Sequence, residues 1–345
     1  MKETLRWAMS WTLVRTGVTT VGRRSRRDDG AIILYGHRIA ADDEGFMQGL
    51  PPADLDDQLG YLARHYEVIA LDTLVACFEN RTPVPARSVV LTFDDGFRDN
   101  LEAGLPIFQK HGVKATIFVV TGSLSSGELP WSQRLGFSFQ HTDRRELRDP
   151  SDASIVHDLS TSVLRRRAYG TVKLNLRRSG RAERERMLAD VATRLGVEAP
   201  RDRMLDWEAA RAWQASGMGI GAHTFSHPLL AEIPFDEARG EMMRSRDDLR
   251  DHLGIEHPAF CFPAGSHNAA LVREVRALGF RSTFKPNPSL LRNRLDTVDA
   301  FSLARRWFPS APAVVLEAEL DGPVDAVRSR WRSLTRTRRS ASAED

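Results

Sequence analysis

Ser88-Val89-Val90-Leu91-Thr92-Phe93-Asp94-Asp95-Gly96 is an apolar run of strand-forming residues that breaks into two carboxylates and a glycine. β-Branched and aromatic side chains suit a pleated, buried surface, and Gly96 permits a tight turn directly behind them. A buried strand that delivers two acids at its C-terminal end fits an α/β protein with a parallel sheet, in which function collects at that end of the strands.

The same rhythm extends outward on both sides. Residues 31–35, 68–71 and 115–120 read as strands, and 101–110 as a helix stopped by Gly112. After Gly122 the pattern changes: residues 123–205 are polar and Arg-rich, and are expected to form a helical insertion. The alternation then resumes. A helix capped by Asp206 precedes a strand at 218–222, a helix at 236–253, a strand at 259–262 and a helix at 269–278. Strands near 281–284 and 300–304 follow. Strands alternating with helices imply a parallel sheet, open or closed.

The bulk numbers agree with one large domain. Of 345 residues, 41% are apolar and 28% charged, which excludes global disorder. A net charge of +3 makes no case for nucleic acid, and no such partner is expected. The basic residues are uneven, however: Arg23, Arg24, Arg26 and Arg27 cluster early, and Arg328, Arg330, Arg332, Arg336, Arg338 and Arg339 late. Such runs are either solvated tails or contacts to an anionic membrane. Residues 1–29 are therefore expected as an arm, 30–310 as the domain and 311–345 as a basic tail. Two cysteines, Cys77 and Cys261, exclude a disulfide framework and read as small buried residues. No run of 18 apolar residues exists, so no spanning helix is expected. Residues 5–21 are interrupted by Arg15 and read poorly as a signal peptide; an amphipathic docking helix is the alternative. The expected location is cytoplasmic, with a peripheral position on the inner face of the membrane as the alternative.

Chemistry concentrates in two motifs. One is Thr92-Phe93-Asp94-Asp95-Gly96; the other is His223-Thr224-Phe225-Ser226-His227-Pro228. Two imidazoles and a carboxylate suit Zn²⁺ or a similar ion and leave a position open for water, whose pKa such an ion lowers to roughly 7. The histidines are four apart but sit between a strand and Pro228, so they belong to a loop and not to a helical HExxH site. Adjacent aspartates after a strand point in different directions, so one can ligate while the other acts as a base. The competing reading is an acidic turn plus two surface histidines; two motifs at strand ends in one chain weigh against it.

These motifs resemble those of the polysaccharide deacetylase family, carbohydrate esterase family four, whose T-F-D-D-G and H-[ST]-x-x-H-P segments both stand here complete. The resemblance covers roughly residues 30–122 and 205–308. It implies a distorted (β/α) barrel of about seven strands, with Asp94 as general base and one divalent metal, Zn²⁺ or alternatively Co²⁺ or Ni²⁺, held by Asp95, His223 and His227. The implied partner is an N-acetylated glycan, and the nearest branch is associated with exopolysaccharide.

Two departures follow. In the third motif the family has R-x-P-x-G, but this chain has Cys261-Phe262-Pro263-Ala264-Gly265. One branch places its Arg later, in a segment like F-x-L-P-R, which Phe301-Ser302-Leu303-Ala304-Arg305 matches. The resemblance therefore makes Arg305 the partner of Asp94, with Arg306 as competitor. The late histidine that protonates the leaving amine is also absent, since no histidine follows His267. The same branch has an early M-Y-H-R-[IV] segment; here it reads Leu34-Tyr35-Gly36-His37-Arg38-Ile39, which makes His37 the expected general acid. Trp131 either stacks on a sugar or anchors the insertion. The function expected is removal of acetyl groups from N-acetylated sugars. A deformylase or amidase acting on another amide or lipid-linked sugar, and an inactive glycan-binding relative, are the rivals.

Overall fold

The computed structural model describes residues 2–25, 29–177, 179–284 and 292–323. Ten strands occur among them: β1 (Ile32–Gly36), β2 (Glu67–Val68), β3 (Ser88–Phe93), β4 (Ala115–Val119), β5 (Glu146–Arg148), β6 (Val156–Asp158), β7 (Gly219–Ala222), β8 (Ala259–Phe260), β9 (Ser282–Thr283) and β10 (Arg305–Trp307). Seven of them lie side by side in the order β10-β1-β3-β4-β7-β8-β9, all parallel, with β2 beside the start of β3. A parallel bridge between Phe284 and Leu303 spans the gap from β9 to the residues before β10, so the sheet curls into a distorted barrel. The expected fold class is the observed one.

Period-2 alternation sorts the strand residues into two cores. Ile32, Leu34, Val89, Leu91, Phe93, Ile117, Val119 and Phe260 face outward beneath the helices. Ala31, Ile33, Val90, Phe118, Ala259, Cys261, Phe284 and Leu303 face inward and fill the barrel. A Cβ on Gly221 would come within 2.4 Å of the Phe118 ring, so glycine there makes room for that filling side chain. The helix Trp207–Ala215 starts at Asp206 as read, with the Asp206 carboxylate accepting from the Ala209 N–H at 2.8 Å.

The boundaries moved in several places. The last strand is Arg305–Trp307, not 300–304, because pairing with β1 selects Arg305 opposite Ile33 and Trp307 opposite Tyr35. β2 is shorter than expected, since Leu71 already begins the helix Leu71–Asn80. Helices Trp131–His141, Ser162–Arg177 and Arg181–Leu195 form the insertion, as expected, but an antiparallel hairpin of β5 and β6 joins them. It has its own core around Leu135, Phe139, Val172, Met187 and Val191.

Residues 311–345 were expected as a tail. Their first part is instead the helix Ala313–Asp321, with Val315, Leu316, Ala318 and Leu320 buried. The early arm folds onto it as helices Lys2–Arg15 and Val18–Ser25. Arg23 is accordingly no solvated charge: it donates to Tyr61 Oη at 3.0 Å and to Asp321 at 2.9 Å. Arg26, Arg27 and the cluster Arg328 to Arg339 lie outside the described residues. Among the described residues no helix is long and apolar enough to cross a membrane.

Candidate functional site

The inward-facing register of the barrel, continued two residues at a time, arrives at the site. Ile33 leads to Tyr35 and His37, Val90 to Thr92 and Asp94, Gly221 to His223, Ala259 to Cys261, and Leu303 to Arg305 and Trp307. Of these, Tyr35, His37, Asp94, His223, Cys261, Arg305 and Trp307 line one groove of about 870 Å³, which also holds Asp95 and His227. Asp95 (φ 74°), Thr224 (φ 69°) and His227 (φ 60°) are non-glycine residues in the left-handed region. That conformation costs about 1–2 kcal/mol per residue. At Asp95 it turns the carboxylate away from its neighbour, so consecutive acids meet different partners.

Asp95 Oδ1 lies 3.3 Å from His227 Nε2 and 3.5 Å from His223 Nε2. It is buried and has no hydrogen-bond partner. His223 Nδ1 sits 2.7 Å from the Cys261 carbonyl, to which it must donate, leaving the Nε2 lone pair facing Asp95. Burial brings the His223 pKa down to about 4, so its ring is neutral near pH 7. Burial alone would push the Asp95 carboxyl up, but His227, His37 and His223 more than offset it and hold the group ionised. An orphaned buried carboxylate oxygen facing the Nε2 atoms of two imidazoles fits a divalent cation.

A second trio, Asp94, His223 and Cys261, also has its ligand atoms close together. Arg305 occupies that space. Its guanidinium forks onto Asp94, Nη1 to Oδ1 and Nη2 to Oδ2, both at 2.7 Å, and Nη2 lies 2.9 Å from Cys261 Sγ. A fixed cation there excludes a metal ion by repulsion. Burial drives the Cys261 thiol pKa well up, which removes the thiolate a metal would need. The Asp95–His223–His227 trio is therefore the candidate metal centre.

Arg305, and not Arg306, makes the pair. It starts level with Ile33, one layer below Asp94, and its long stem carries the charge up past Tyr35 (4.7 Å), Phe284 (4.9 Å) and Phe118 (5.6 Å). Burial would raise the Asp94 pKa, but Arg305 lowers it below the ordinary carboxylate value. Each carboxylate oxygen has about two lone-pair sites, so the fork leaves room for a further proton donor.

His37 is the first residue beyond β1. Gly36, the extra residue relative to the branch motif, pairs with Phe93 and simply completes the strand. The His37 ring lies 5.6 Å from Trp307 and lines the groove, and its buried Nδ1 has no hydrogen-bond partner. Trp131 is only 4% exposed and donates from Nε1 to the His227 carbonyl at 2.9 Å. It anchors the insertion to the metal loop and offers no face to a sugar. The aromatic walls are Tyr35 and Trp307, which sequence reading missed, although both lie on the inward period-2 register of their strands. Cys261, which the sequence offers as a small buried residue, also belongs to the site. His267 turns back to the Gly265 carbonyl (2.8 Å), and His111 and His157 pair with Asp56 and Asp149.

The comparisons point one way. The family described as polysaccharide deacetylase matches residues 81–283, more than half of the chain. YxkH of Bacillus subtilis (strain 168), a polysaccharide deacetylase by name, is 45% identical over 38 residues, 11% of this chain and 14% of that protein. Among solved structures, the Streptococcus pyogenes deacetylase PplD aligns at TM-score 0.56 and 17% identity, over 85% of this chain and 97% of that one. IcaB from Ammonifex degensii aligns at 0.56 and 16%, over 86% and 98%. The BpsB deacetylase domain from Bordetella bronchiseptica aligns at 0.51 and 15%, over 82% and 97%. At these identities the structural likeness establishes the fold. His37 and Arg305 both lie outside the matched residues 81–283.

Proposed function

This chain belongs to the polysaccharide deacetylase family, hydrolases of carbon–nitrogen bonds in glycans, and from that premise we propose that it removes acetyl groups from an N-acetylated sugar by a metal-dependent route. A divalent ion held by Asp95, His223 and His227 would supply Lewis acidity, making a water acidic enough to attack near neutral pH and polarising the acyl oxygen. Asp94, oriented by the Arg305 fork, takes the proton of the attacking water as its oxygen bonds to the acetyl carbon. His37 gives a proton to the amide nitrogen as the carbon–nitrogen bond breaks, because an amine cannot leave as an anion. The products are acetate and a free amine. Tyr35 and Trp307 supply flat apolar walls for a sugar ring.

The observation that carries this reading is the two-handed treatment of consecutive acids. Asp94 is locked on an arginine, while Asp95 Oδ1, without a hydrogen bond, faces two imidazoles. Zn²⁺ is the proposed ion, with Co²⁺ and Ni²⁺ compatible with the same donors. Exopolysaccharide processing is the proposed setting. The test is acetate release from a panel of N-acetylated oligosaccharides by chelator-treated protein, before and after metal is returned. Turnover that ignores the chelator would refute the metal route. Faster formyl than acetyl release would favour a deformylase, and tight glycan binding without turnover an inactive relative.

A further inference from the structure

The helices Lys2–Arg15 and Val18–Ser25 have one face fixed and one face open. The fixed face is polar: Arg6 pairs with Glu319 at 2.5 Å, Thr19 donates to Glu317 at 2.8 Å and Arg23 reaches Asp321. A Cβ on Gly22 would collide with the Asp321 carbonyl, so the second helix lies directly on the end of Ala313–Asp321. Away from these contacts Trp7 (42% exposed) and Trp11 (51%) lie one helical turn apart on the first helix, and Val18 and Val21 (67%) are exposed on the second. Arg15 and Arg24 are exposed on the same two helices.

Two indoles with flanking arginines suit the boundary of a bilayer, where the ring meets acyl chains and headgroups at once and cations meet anionic lipid. The sequence carries two further basic stretches. In the sequence, Arg26 and Arg27 follow the second helix directly and Arg328 to Arg339 follow residue 323. The same first helix also forms part of the groove, because Arg6 and Glu319 line it together with the candidate metal centre.

We propose that Trp7, Trp11, Val18 and Val21 dock onto an anionic lipid bilayer, so that the groove opens at the lipid surface and takes a glycan held there. The glycan part rests on the deacetylase reading; the docking part does not. The full chain is sedimented with mixed phosphatidylglycerol–phosphatidylcholine vesicles and with pure phosphatidylcholine vesicles. It should bind the mixed vesicles, bind them less as salt rises, and not bind the neutral ones. Trp7→Ser/Trp11→Ser should weaken binding by about tenfold or more. Val21→Asp, which keeps both indoles and adds a repelled charge, should weaken it as well. Both variants should melt with the parent and release acetate from a soluble oligosaccharide at the parent's rate. On an N-acetylated oligosaccharide anchored by a lipid in mixed vesicles, they should lose rate in step with binding. Unchanged binding of both variants, equal binding to neutral vesicles, or no binding at all overturns the proposal. A parent that binds mixed vesicles but releases no acetate from any substrate overturns the deacetylase reading and leaves the docking surface standing.

Discussion

Two arginines, one largely buried in the barrel and one fully buried in the insertion, show how differently the two regions handle charge. Arg305 rises through the barrel between three aromatic rings and puts two nitrogens on Asp94. Burial lowers its pKa, but Asp94 and Cys261 raise it further, so the cation is held firmly. Arg184 of the insertion is 1% exposed and makes one long bond, from Nη1 to the Ser179 carbonyl at 3.3 Å, while Nε and Nη2 have none. Its guanidinium lies 5.4 Å from the Trp131 ring, and burial lowers its pKa. A fully paired buried charge fixes geometry; a half-satisfied one is a cost the fold tolerates. The barrel is therefore where the chemistry is set, and the insertion acts on it through contacts such as the Trp131–His227 hydrogen bond.

The contrast can be broken at several depths. His223→Ala/His227→Ala should abolish both metal binding and turnover, since one carboxylate cannot replace a three-ligand site; full metal occupancy by elemental analysis would remove the centre from these residues. Arg305→Met should keep the metal and lower turnover by about 10²–10⁴-fold through a misplaced Asp94, the range expected for loss of a general base, and Asp94→Asn should match it. If the two losses add in the double variant instead of overlapping, the residues do not act as a unit. His37→Gln should cost the amide reaction about 10²-fold, and an activated acetyl ester far less, because that leaving group needs little protonation. Equal losses on both substrates would make His37 a positioning residue.

The insertion should give smaller numbers. Trp131→Phe removes the bond to the His227 carbonyl and should weaken metal affinity by roughly 3- to 10-fold, the equivalent of about 1 kcal/mol. The readout is metal titration, with melting temperature as a control; unchanged affinity would show the loop holds itself, through Thr224 and the Glu241 bonds to Ser226. Arg184→Met should change stability by no more than about 1 kcal/mol and turnover by less than about twofold, because a hydrophobic side chain of similar length replaces a poorly paired charge. A large loss of turnover there would give the insertion a part in the chemistry.

The legible parts of the sequence were those with short-range causes. The run 88–93 became β3 without a change of boundary, because β-branched residues between turn signals leave the backbone few alternatives. Gly254, in the left-handed conformation, ended the helix Phe235–Leu253 where expected. The motifs placed Asp94, Asp95, His223 and His227 together, and the structure gathers them. The β5–β6 hairpin was not legible, since Glu146–Arg148 and Val156–Asp158 pair only because the insertion's helices bury Leu147 between them. The helix Ala313–Asp321 was not legible either. Its worth lies in what it meets, Tyr61 and Tyr66 on Asp321 and the early helices on its outer side.

The sequence by itself determined the alternating fold class, the strand that carries Asp94 and Asp95, and the loop that carries two histidines four residues apart, because each is written in neighbouring side chains and in backbone preference. Only the tertiary structure decided which arginine reaches Asp94, that Cys261 would hold His223 through its carbonyl, and that Trp131 would be buried behind His227. Those outcomes depend on closure of the barrel, which sets Arg305 opposite Ile33 across β1 and brings residues some two hundred positions apart within 2.7 Å. Register across a closed sheet is a property of all its strands at once, and no local stretch of the chain contains it.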